Sequence, residues 1–473
     1  MKGNIAETRD KFRAEKWKKK AIVRGQENKA LRKRLREVIA SRDSLKAKSK
    51  MLSRRSVECS IPEYEHVKHH SYDSGIMWLC IWLKLVGNCS FRSCQKVILG
   101  MSLYLGLGLS RSPSCSTIRL WLCKYGYHCY EEQKSGGKWA IIADESVMIG
   151  QERLLLILGV NLDKWDFKRS LTSADVEVLH VGIGKSWKSK EISIELKKVI
   201  SKYNISYSVS DLGNNLQGAW KAEKLVNVLD CTHTWAKSLE KIYQKDEVYI
   251  SFMKSVGAIK RKWILSKNSH LLPPSLRDKA RFHQVFNFVN WAEKIEKNWD
   301  NLNEEQQKEL VFIPENKDFL HQLKLIRDTT TALNKVLKIK GMNLNTIEEA
   351  MNILAQHPNT GDYIGLFQAR AKEYLMTHKS LLKKDQTFLC CSDIIESTFG
   401  RYKQMIAKNQ GSITELVLTL SALGKPLYHQ KIKIAMEEVK VEHIKLWKQE
   451  NTTLSLSKIK RDFFPKNGTK SAA

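Results

Sequence analysis

Three carboxylates of this sequence have the neighbours expected of metal ligands. Asp144 follows the apolar run 139–143, so a strand would deliver it to the middle of a sheet. Asp211 ends a second short strand-like run and precedes Gly213, whose backbone freedom lets a carboxylate project beyond a strand. Glu396 lies in a segment with helical apolar spacing. Together the three acids predict a site for divalent cations that prefer oxygen ligands.

The chemistry that such a set supports is phosphoryl transfer with two metal ions. Two Mg²⁺ ions about 4 Å apart need shared carboxylate oxygens to remain close. One ion would activate an attacking water or 3′-hydroxyl, and the other would stabilise the leaving 3′-oxygen. The predicted cofactor is therefore two Mg²⁺ ions, with Mn²⁺ able to substitute, and Asp144, Asp211 and Glu396 act as catalytic residues mainly by binding them.

Neighbouring acids offer alternatives to these assignments. Glu145 follows Asp144 directly, but strand side chains alternate between two faces, so only one of the pair points into a site and Asp144 is preferred. Asp393 precedes Glu396 by three residues on the same helical face, where it could cap the helix or act as the third ligand. Asp211 could be a turn-forming aspartate, although its place at a strand end favours metal binding.

The elements that would position these acids alternate between strands and helices. β-rich apolar runs and amphipathic patterns give the order three strands, helix, strand, helix, strand. Ser392 is expected to cap a later helix that holds Glu396. The predicted segments are strands 139–146, 154–162 and 176–183, helix 190–203, strand 207–211, helix 215–224 and strand 226–230, then helices at 317–337, 346–355, 394–408 and 414–448.

Ahead of the first strand, the sequence has the punctuation of a helix-turn-helix. A helix over 91–105 is followed by Ser114 or Ser116, either of which can accept the first free amides of a second helix that Gly126 can end. Because such signals are weak, an ordinary helical hairpin is an equal alternative. In the DNA-binding interpretation, the side chains that face a groove are those of Thr117, Arg119 and Lys124.

The N-terminal segment, to about residue 55, is rich in Lys and Arg and has an apolar heptad seam. Asn28 and Arg42 fall on the same seam, which weakens pairing between helices. The segment is predicted to be a basic helix, either in a short coiled coil or as a solvated arm that contacts DNA. The apolar seam positions are Leu31, Leu35, Val38, Leu45 and Leu52.

The composition favours a polyanionic partner and a reducing compartment. Lys and Arg number 80 against 50 Asp and Glu, a formal net charge of +30 that points to nucleic acid. Ten cysteines without regular spacing do not fit a secreted disulfide framework in a chain of 473 residues. The first residues lack an apolar core, and no apolar run reaches the roughly 18 residues of a membrane span. A cytoplasmic, nucleoid-associated protein is expected.

With these residues in place, the chain resembles the DDE transposase and retroviral integrase superfamily. Asp144, Asp211 and Glu396 look like its Asp, Asp, Glu triad. Lys403, seven residues after the glutamate, matches a basic residue that many members carry near DNA. The Asp-Cys-Thr-His segment at 230–233 is similar to the motif of Asp or Cys, two residues, then His in hAT, Mutator-like and related bacterial transposases.

The resemblance covers about 138–408 and is to bacterial insertion-sequence transposases that carry a helical insertion between the second and third acids. Here 185 residues separate them, since 396 − 211 = 185. It implies an α/β core with an RNase H-like mixed sheet and a large all-α insertion, preceded by a helical DNA-binding region. It also implies that Asp230 and His233 support the metal ligands and that Arg401 and Lys403 lie near DNA.

The implied domains follow from these boundaries. They are a basic helix or coiled coil at 1–60, a helix-turn-helix-like domain at 61–130, core segments at 138–249 and 386–410, an α-helical insertion at 250–385, and a C-terminal helix with a basic tail at 411–473.

The implied function is that of a bacterial DNA transposase. It would bind transposon ends and catalyse Mg²⁺-dependent cleavage and strand transfer into target DNA, as a homo-oligomer, without a membrane partner. Two alternatives stay open: a non-catalytic DNA-binding protein derived from a transposase, and an RNase H-like structure-specific nuclease.

Overall fold

The structure is a computed structural model. It describes residues 65–453 except 106–108, 110, 133, 135, 276–281, 283, 357–361 and 407–410, and outside that range residues 17, 24–25, 28, 31–39, 41–43, 45–46, 459 and 462–464. The chain divides into two compact units, Met1–Glu65 and His66–Ala473.

The described residues from 31 to 46 in the first unit are helical and exposed. The seam side chains are 59 to 63% exposed. Pairing of this helix in a coiled coil stays a prediction. The seam residues described are Leu31, Leu35, Val38 and Leu45, whereas Leu52 lies outside the described residues.

The second unit begins with helices α1 (Ser74–Leu85), α2 (Phe91–Leu105) and α3 (Cys115–Glu131). α2 has the predicted bounds, and the Thr117 amide donates to the Ser114 hydroxyl, which confirms the predicted cap. The predicted helix end at Gly126 is wrong, because α3 continues past it to Glu131. Glycine is needed there for close packing: a Cβ at 126 would lie 2.7 Å from the backbone oxygen of Leu418.

A five-stranded mixed sheet follows. Its strands are β1 (Lys138–Ile149), β2 (Glu152–Asn161), β3 (Val176–Gly184), β4 (Asn204–Ser210) and β5 (Asn227–Leu229), in the spatial order β3-β2-β1-β4-β5. β1 and β3 are antiparallel to β2, whereas β1, β4 and β5 run parallel. Helices α4 (Ser189–Ile200) and α5 (Asn214–Ala222) complete the predicted order of three strands, helix, strand, helix, strand, which is confirmed.

The stretch after β5 is largely helical, as predicted. Its elements are α6 (Cys231–Tyr243), α7 (Glu247–Trp263), α8 (Val285–Glu296), α9 (Glu304–Leu310), α10 (Phe312–Glu315), α11 (Lys317–Lys340), α12 (Leu344–Gln356), α13 (Asp362–Lys379), α14 (Asp393–Met405), α15 (His429–Glu438) and α16 (Val441–Asn451), with 3-10 helices at Ser269–Leu271, Trp299–Asn301 and Glu415–Ala422.

The single helix predicted over 414–448 is wrong. The segment begins with the 3-10 helix Glu415–Ala422 and is then broken at Gly424, whose φ of +78° is a left-handed conformation. Pro426 follows and cannot donate a backbone hydrogen bond, so α15 starts only at His429. Amphipathic spacing alone predicts a continuous helix and does not reveal these breaks.

The two faces of the sheet are buried by different elements. Trp139, Ile141 and Ala143 of β1 form an apolar cluster with residues of α4 and α5. Ala140 and Ile142 point to the opposite face and belong to the larger core, to which α6 and α14 contribute. Four tryptophans predicted to be core are confirmed as buried: Trp187, Trp220, Trp235 and Trp291.

The fold is thus mixed α/β, with one five-stranded sheet and extensive helical regions. Within the described residues, no helix combines the length and apolar character that a bilayer span requires.

Candidate active site

Asp144 and Asp211 emerge at the same edge of the sheet. β1 and β4 are parallel and pair at Ile142 and Val209, and each aspartate lies two residues beyond this pair. The two carboxylates therefore meet towards the end of the sheet to which β1 and β4 run, called the acid edge below, although β1 continues past Asp144 to Ile149. Glu396 joins them from the first turn of α14, which packs against β1.

Asp144 lies among other acids. Burial raises the pKa of its carboxyl to about 7, and the charges of Asp211 and Glu396 add to the rise. The Glu145 amide donates to Asp144 Oδ1 at 2.7 Å and, together with His233, opposes part of this rise. Because its negative charge is disfavoured by burial and by like charges, this carboxyl would be stabilised by a bound cation.

Glu145 faces the other side of β1. Burial raises the pKa of its carboxyl, while a hydrogen bond with Asn215 of α5 and the charge of Arg153 favour the ionised form. Arg153 Nη1 lies 3.9 Å from Glu145 Oε2. The register of β1 and β2 shifts directly after Asp144, and the two acids have different further partners: Asp144 interacts with Glu396 and His233, whereas Glu145 interacts with residues of β2 and α5. The charge of Asp211 raises the pKa of both.

Asp211 is held by the turn that follows it. The Gly213 amide donates to Asp211 Oδ1 at 2.9 Å, and the Gln217 side chain donates to the Asp211 carbonyl at 2.8 Å. A Cβ at position 213 would lie 2.9 Å from Asp211 Oδ1. Since φ of Gly213 is −64°, glycine is required here for space and not for backbone conformation.

Glu396 is paired with His233, which lies in the first turn of α6. His233 Nε2 lies 3.1 Å from Glu396 Oε1, with the histidine side chain 27% and the glutamate side chain 59% exposed. Burial alone would lower the pKa of His233, but the hydrogen bond to Glu396 and the charges of Asp230 and Asp211 raise it to about 9. His233 is therefore a cation at neutral pH, next to the acids.

Asp230 joins the two helices that carry this pair. It is completely buried, and its Oδ1 accepts from the His233 amide at 2.8 Å at the start of α6. Its Oδ2 accepts from the amide and the hydroxyl of Ser392, at 2.5 and 2.8 Å, at the start of α14. The predicted capping role of Ser392 is wrong: Ser392 precedes α14, but its hydroxyl donates to Asp230 and makes no cap bond.

One compact group of metal-ligand types occurs beside this junction. In the part of the chain that the structure describes, Asp230, Cys391 and Asp393 are the one set of three whose ligating atoms all lie within 4.8 Å. The site already has a cation, since Lys338 Nζ of α11 lies 2.5 Å from Asp393 Oδ2. The lone pairs of Asp230 are also used by α6 and α14, so this group is a structural junction between the helices.

Asp144, Asp211 and Glu396 are more widely spaced than that group, within the described residues. All three donors are carboxylate oxygens, the type that Mg²⁺ and Mn²⁺ prefer. In donor type the three residues therefore fit Mg²⁺ or Mn²⁺.

The residues predicted to face DNA from α3 are differently placed. Lys124 is buried, and its ammonium donates to the Met436 carbonyl at 2.9 Å, so the expectation that it faces outward is wrong. Arg119 forms a salt bridge with Glu415 at 2.8 Å. Thr117 is half-buried within the capping turn. Arg119 and Lys124 are thus turned to the C-terminal elements, and Thr117 to the start of its own helix.

The two residues predicted to lie near DNA on α14 differ from each other. Arg401 is half-buried and donates to the Ser173 hydroxyl at 3.1 Å and the Leu85 carbonyl at 3.5 Å. Lys403 is exposed, on the same exposed face of α14 as Glu396. Lys403 is thus the better placed of the two to contact a DNA phosphate.

Two residues of the site had no signal in the sequence. Lys338 lies 55 residues from its partner Asp393, and Arg153 begins a strand whose pairing with β1 places it beside Glu145. Local spacing reports neither contact, because both depend on how separate segments pack.

Comparisons with known proteins identified no relative: no protein-family model matches the chain, and no curated protein matches it.

Proposed function

We propose that this chain is a DNA transposase that cleaves DNA and joins the resulting 3′-ends in an Mg²⁺-dependent reaction. The observation that carries the proposal is that Asp144, Asp211 and Glu396 come together from three separate segments. They lie close enough for the charges of Asp211 and Glu396 to raise the pKa of Asp144. The strand order β3-β2-β1-β4-β5, antiparallel on one side and parallel on the other, supports an RNase H-like core around these acids.

Asp144, Asp211 and Glu396 would hold the metal ions. When bound, the metal supplies Lewis-acid activation of a water or 3′-hydroxyl and neutralises charge on the leaving oxygen. Strand β1 fixes Asp144, and the Gly213 amide fixes one oxygen of Asp211. His233, charged at neutral pH, pairs with Glu396 and adds positive charge where a phosphate would bind.

DNA binding is proposed to involve the N-terminal basic segment and the exposed face of α14. Arg32, Lys33, Arg34 and Arg36 are exposed on the described helix of the first unit, whereas the polar residues of α3 are engaged within the protein. Salt-dependent binding is expected, because each phosphate contact releases counterions. Action on paired ends as a homo-oligomer, as the resemblance implies, is part of the same proposal.

The test is cleavage of a supercoiled plasmid that carries the coding sequence with its native flanking DNA. With Mg²⁺, the wild-type protein should nick or cut at the element boundaries and produce joined products. Asp144→Asn and Glu396→Gln should each abolish cleavage and leave DNA binding largely intact, because they remove metal ligands without unfolding the sheet. The matched control is Glu145→Gln, which changes the neighbouring acid and should keep activity.

Each other outcome points to a different protein. Binding without cleavage, under varied metal ions, would sink the catalytic proposal and favour a non-catalytic DNA-binding protein. Cuts without joined products would favour a structure-specific nuclease. Loss of activity in Glu145→Gln but not in Asp144→Asn would reverse the assignment of the first metal ligand.

A further inference from the structure

Four cations border the acid edge on the side of the sheet covered by α4 and α5. They come from the start of β2 and from the connection between β3 and α4, and they are called the basic rim here. The basic rim consists of Arg153, Lys185, Lys188 and Lys190.

The sheet register places the basic rim at the end of the sheet towards which β1 and β4 run. β2 runs antiparallel to β1, so it begins where β1 ends, and Arg153 pairs with Gly184, the last residue of β3. The Arg153 guanidinium reaches to 3.9 Å from the Glu145 carboxylate. Glu145 directly follows Asp144 on β1 and faces the side covered by α4 and α5, so the rim and the Asp144 carboxylate lie on opposite faces of one strand near the same end of the sheet.

The connection that carries the lysines is anchored. Trp187 is only 7% exposed, and its indole N–H donates to the Arg153 carbonyl at 3.2 Å. Its ring lies against Gly182, where a Cβ would stand 2.8 Å from the ring. The lysines on either side of Trp187 are therefore displayed from a fixed backbone, which reduces the entropy lost when they bind a partner.

The positive charge of this connection is not neutralised within the described residues. Lys185, Lys188 and Lys190 are exposed, and no carboxylate of the described chain forms a salt bridge with them. The nearby Glu191 accepts from the Lys188 amide at 2.7 Å. Glu195 is engaged by His180 and Lys198, at 2.6 and 2.7 Å.

We propose that the basic rim binds the phosphate backbone of the DNA duplex whose scissile phosphate occupies the acid site. This inference rests on the proposed function. A phosphodiester chain suits both features, because one phosphate can bind metal at the acids while its neighbours reach the cations. An acidic protein segment is less well suited, since the unbound acids Asp144, Asp211 and Glu396 would repel it.

The test compares two charge-matched variants in full-length protein made inactive by Asp144→Asn. Lys185→Glu with Lys188→Glu changes the basic rim. Lys202→Glu with Lys221→Glu makes the same charge change at exposed positions near the start of β4 and the end of α5, at the opposite end of the sheet. The measurement is the Kd for a short DNA duplex over a range of salt concentrations without added metal, after thermal unfolding has established that both variants are folded.

The rim variant should bind at least about tenfold more weakly at low salt, and the slope of log K against log salt should become shallower by about 0.9 for each lost phosphate contact. The control should change much less. Equal changes in both variants would overturn the inference, because net charge alone would then explain them. Retained DNA binding by the rim variant, with lost binding of polyglutamate, would also overturn it and assign the rim to an acidic protein.

The inference and the proposed function fail differently. If wild-type protein cuts and joins DNA while the rim variant keeps its salt slope, the rim assignment alone is wrong. If the wild type binds no DNA at all, both are wrong. If DNA binds through the rim but is never cut, the rim stands as a DNA contact and its link to catalysis falls.

Discussion

Neighbouring residues at the acid edge make different contacts because of small differences in their position. Asp144 and Glu145 are consecutive acids on one strand, and the charge of Asp211 raises the pKa of both, yet Asp144 interacts with Glu396 and His233 while Glu145 interacts with Arg153 and Asn215. The alternation of strand side chains, and not residue type, separates them. Asp211 shows a second effect, in which the residue two positions later controls the carboxylate.

Gly213 offers a test of this effect. In Gly213→Ala, the new methyl group would lie 2.9 Å from Asp211 Oδ1 and force the carboxylate aside. Displacement of a catalytic group by about 1 Å can cost about 100-fold in rate, so cleavage should fall by that order while the protein stays folded. Cleavage rates and thermal unfolding check both expectations.

Gly400→Ala is the matched control for that substitution. Gly400 lies on α14, four residues after Glu396, and a Cβ there has no atom within 4 Å. Alanine in a helix interior should raise stability by about 0.5–1 kcal/mol and leave cleavage unchanged. Equal loss of cleavage in both variants would contradict a specific effect on Asp211.

At the scale of elements, the site depends on a junction between α6 and α14. Asp230 accepts hydrogen bonds from the first turns of both helices, and the Cys231 amide donates to the Cys390 carbonyl at 2.9 Å. His233 and Glu396, which are 163 positions apart, meet because of this junction. The orientation of one helix is thereby coupled to that of the other.

Asp230→Asn should weaken the junction more than Ser392→Ala. The amide cannot accept from all of the donors that face the carboxylate, and hydrogen bonds to a charged group contribute about 1.5–3 kcal/mol each. Ser392→Ala removes one hydroxyl donor and should cost about 1 kcal/mol. Unfolding in denaturant should rank wild type, Ser392→Ala and Asp230→Asn in decreasing stability, with cleavage in the same order. Wild-type stability for Asp230→Asn would show that the carboxylate is dispensable.

A second tie between elements is sensitive to pH. The hydrogen bond from His180 of β3, with that from Lys198, lowers the pKa of Glu195 of α4 from 4.5 to about 2. A lowered carboxyl pKa stabilises the fold above its ordinary pKa, and this stabilisation is lost as the pH falls from about 4.5 towards 2. Glu195→Gln should therefore have a lower Tm than wild type at pH 7, and the difference should shrink over that range.

The control for this pH experiment is Glu373→Gln, at an exposed position of α13. Its Tm should follow that of the wild type at every pH. A difference between Glu195→Gln and wild type that stays constant from pH 7 to pH 2 would rule out ionisation of Glu195 as the cause.

The elements also show what the sequence could and could not predict. Local patterns gave the five strands and the bounds of α2, because apolar period and caps act within a few residues. The place of Asp144 within β1 and of Asp211 directly after β4 followed from the same patterns. The pairing of Glu396 with His233 and the role of Ser392 depend on contacts between distant segments, which local spacing does not report. The break within 414–448 has a local signal in Gly424 and Pro426, which the amphipathic spacing outweighs when the prediction follows the apolar pattern alone.

At the scale of the whole second unit, the N-terminal helices are bound to the segments that follow the sheet. Lys84 of α1 donates to the Met405 carbonyl at the end of α14, at 3.0 Å, and Lys124 of α3 donates to Met436 in α15. Burial lowers the pKa of both lysines. A cation near the last carbonyls of a helix is favourable, so both ammonium groups stabilise helix ends.

Lys124 and Lys403 should therefore respond in opposite ways to the same substitution. Lys124→Ala removes a buried donor and leaves the Met436 carbonyl without it, which should cost about 1–3 kcal/mol and lower the Tm by several degrees. In the folded variant, the salt dependence of DNA binding should stay that of the wild type, because Lys124 has no exposed face. Lys403→Ala should leave the Tm unchanged and make the slope of log K against log salt shallower by about 0.9, as expected for one phosphate contact. Thermal unfolding and binding titrations on both proteins decide between the two roles. A changed salt slope with an unchanged Tm for Lys124→Ala would contradict the buried role. It would mean that the ammonium contacts DNA and that α3 turns its polar side outward when the protein binds.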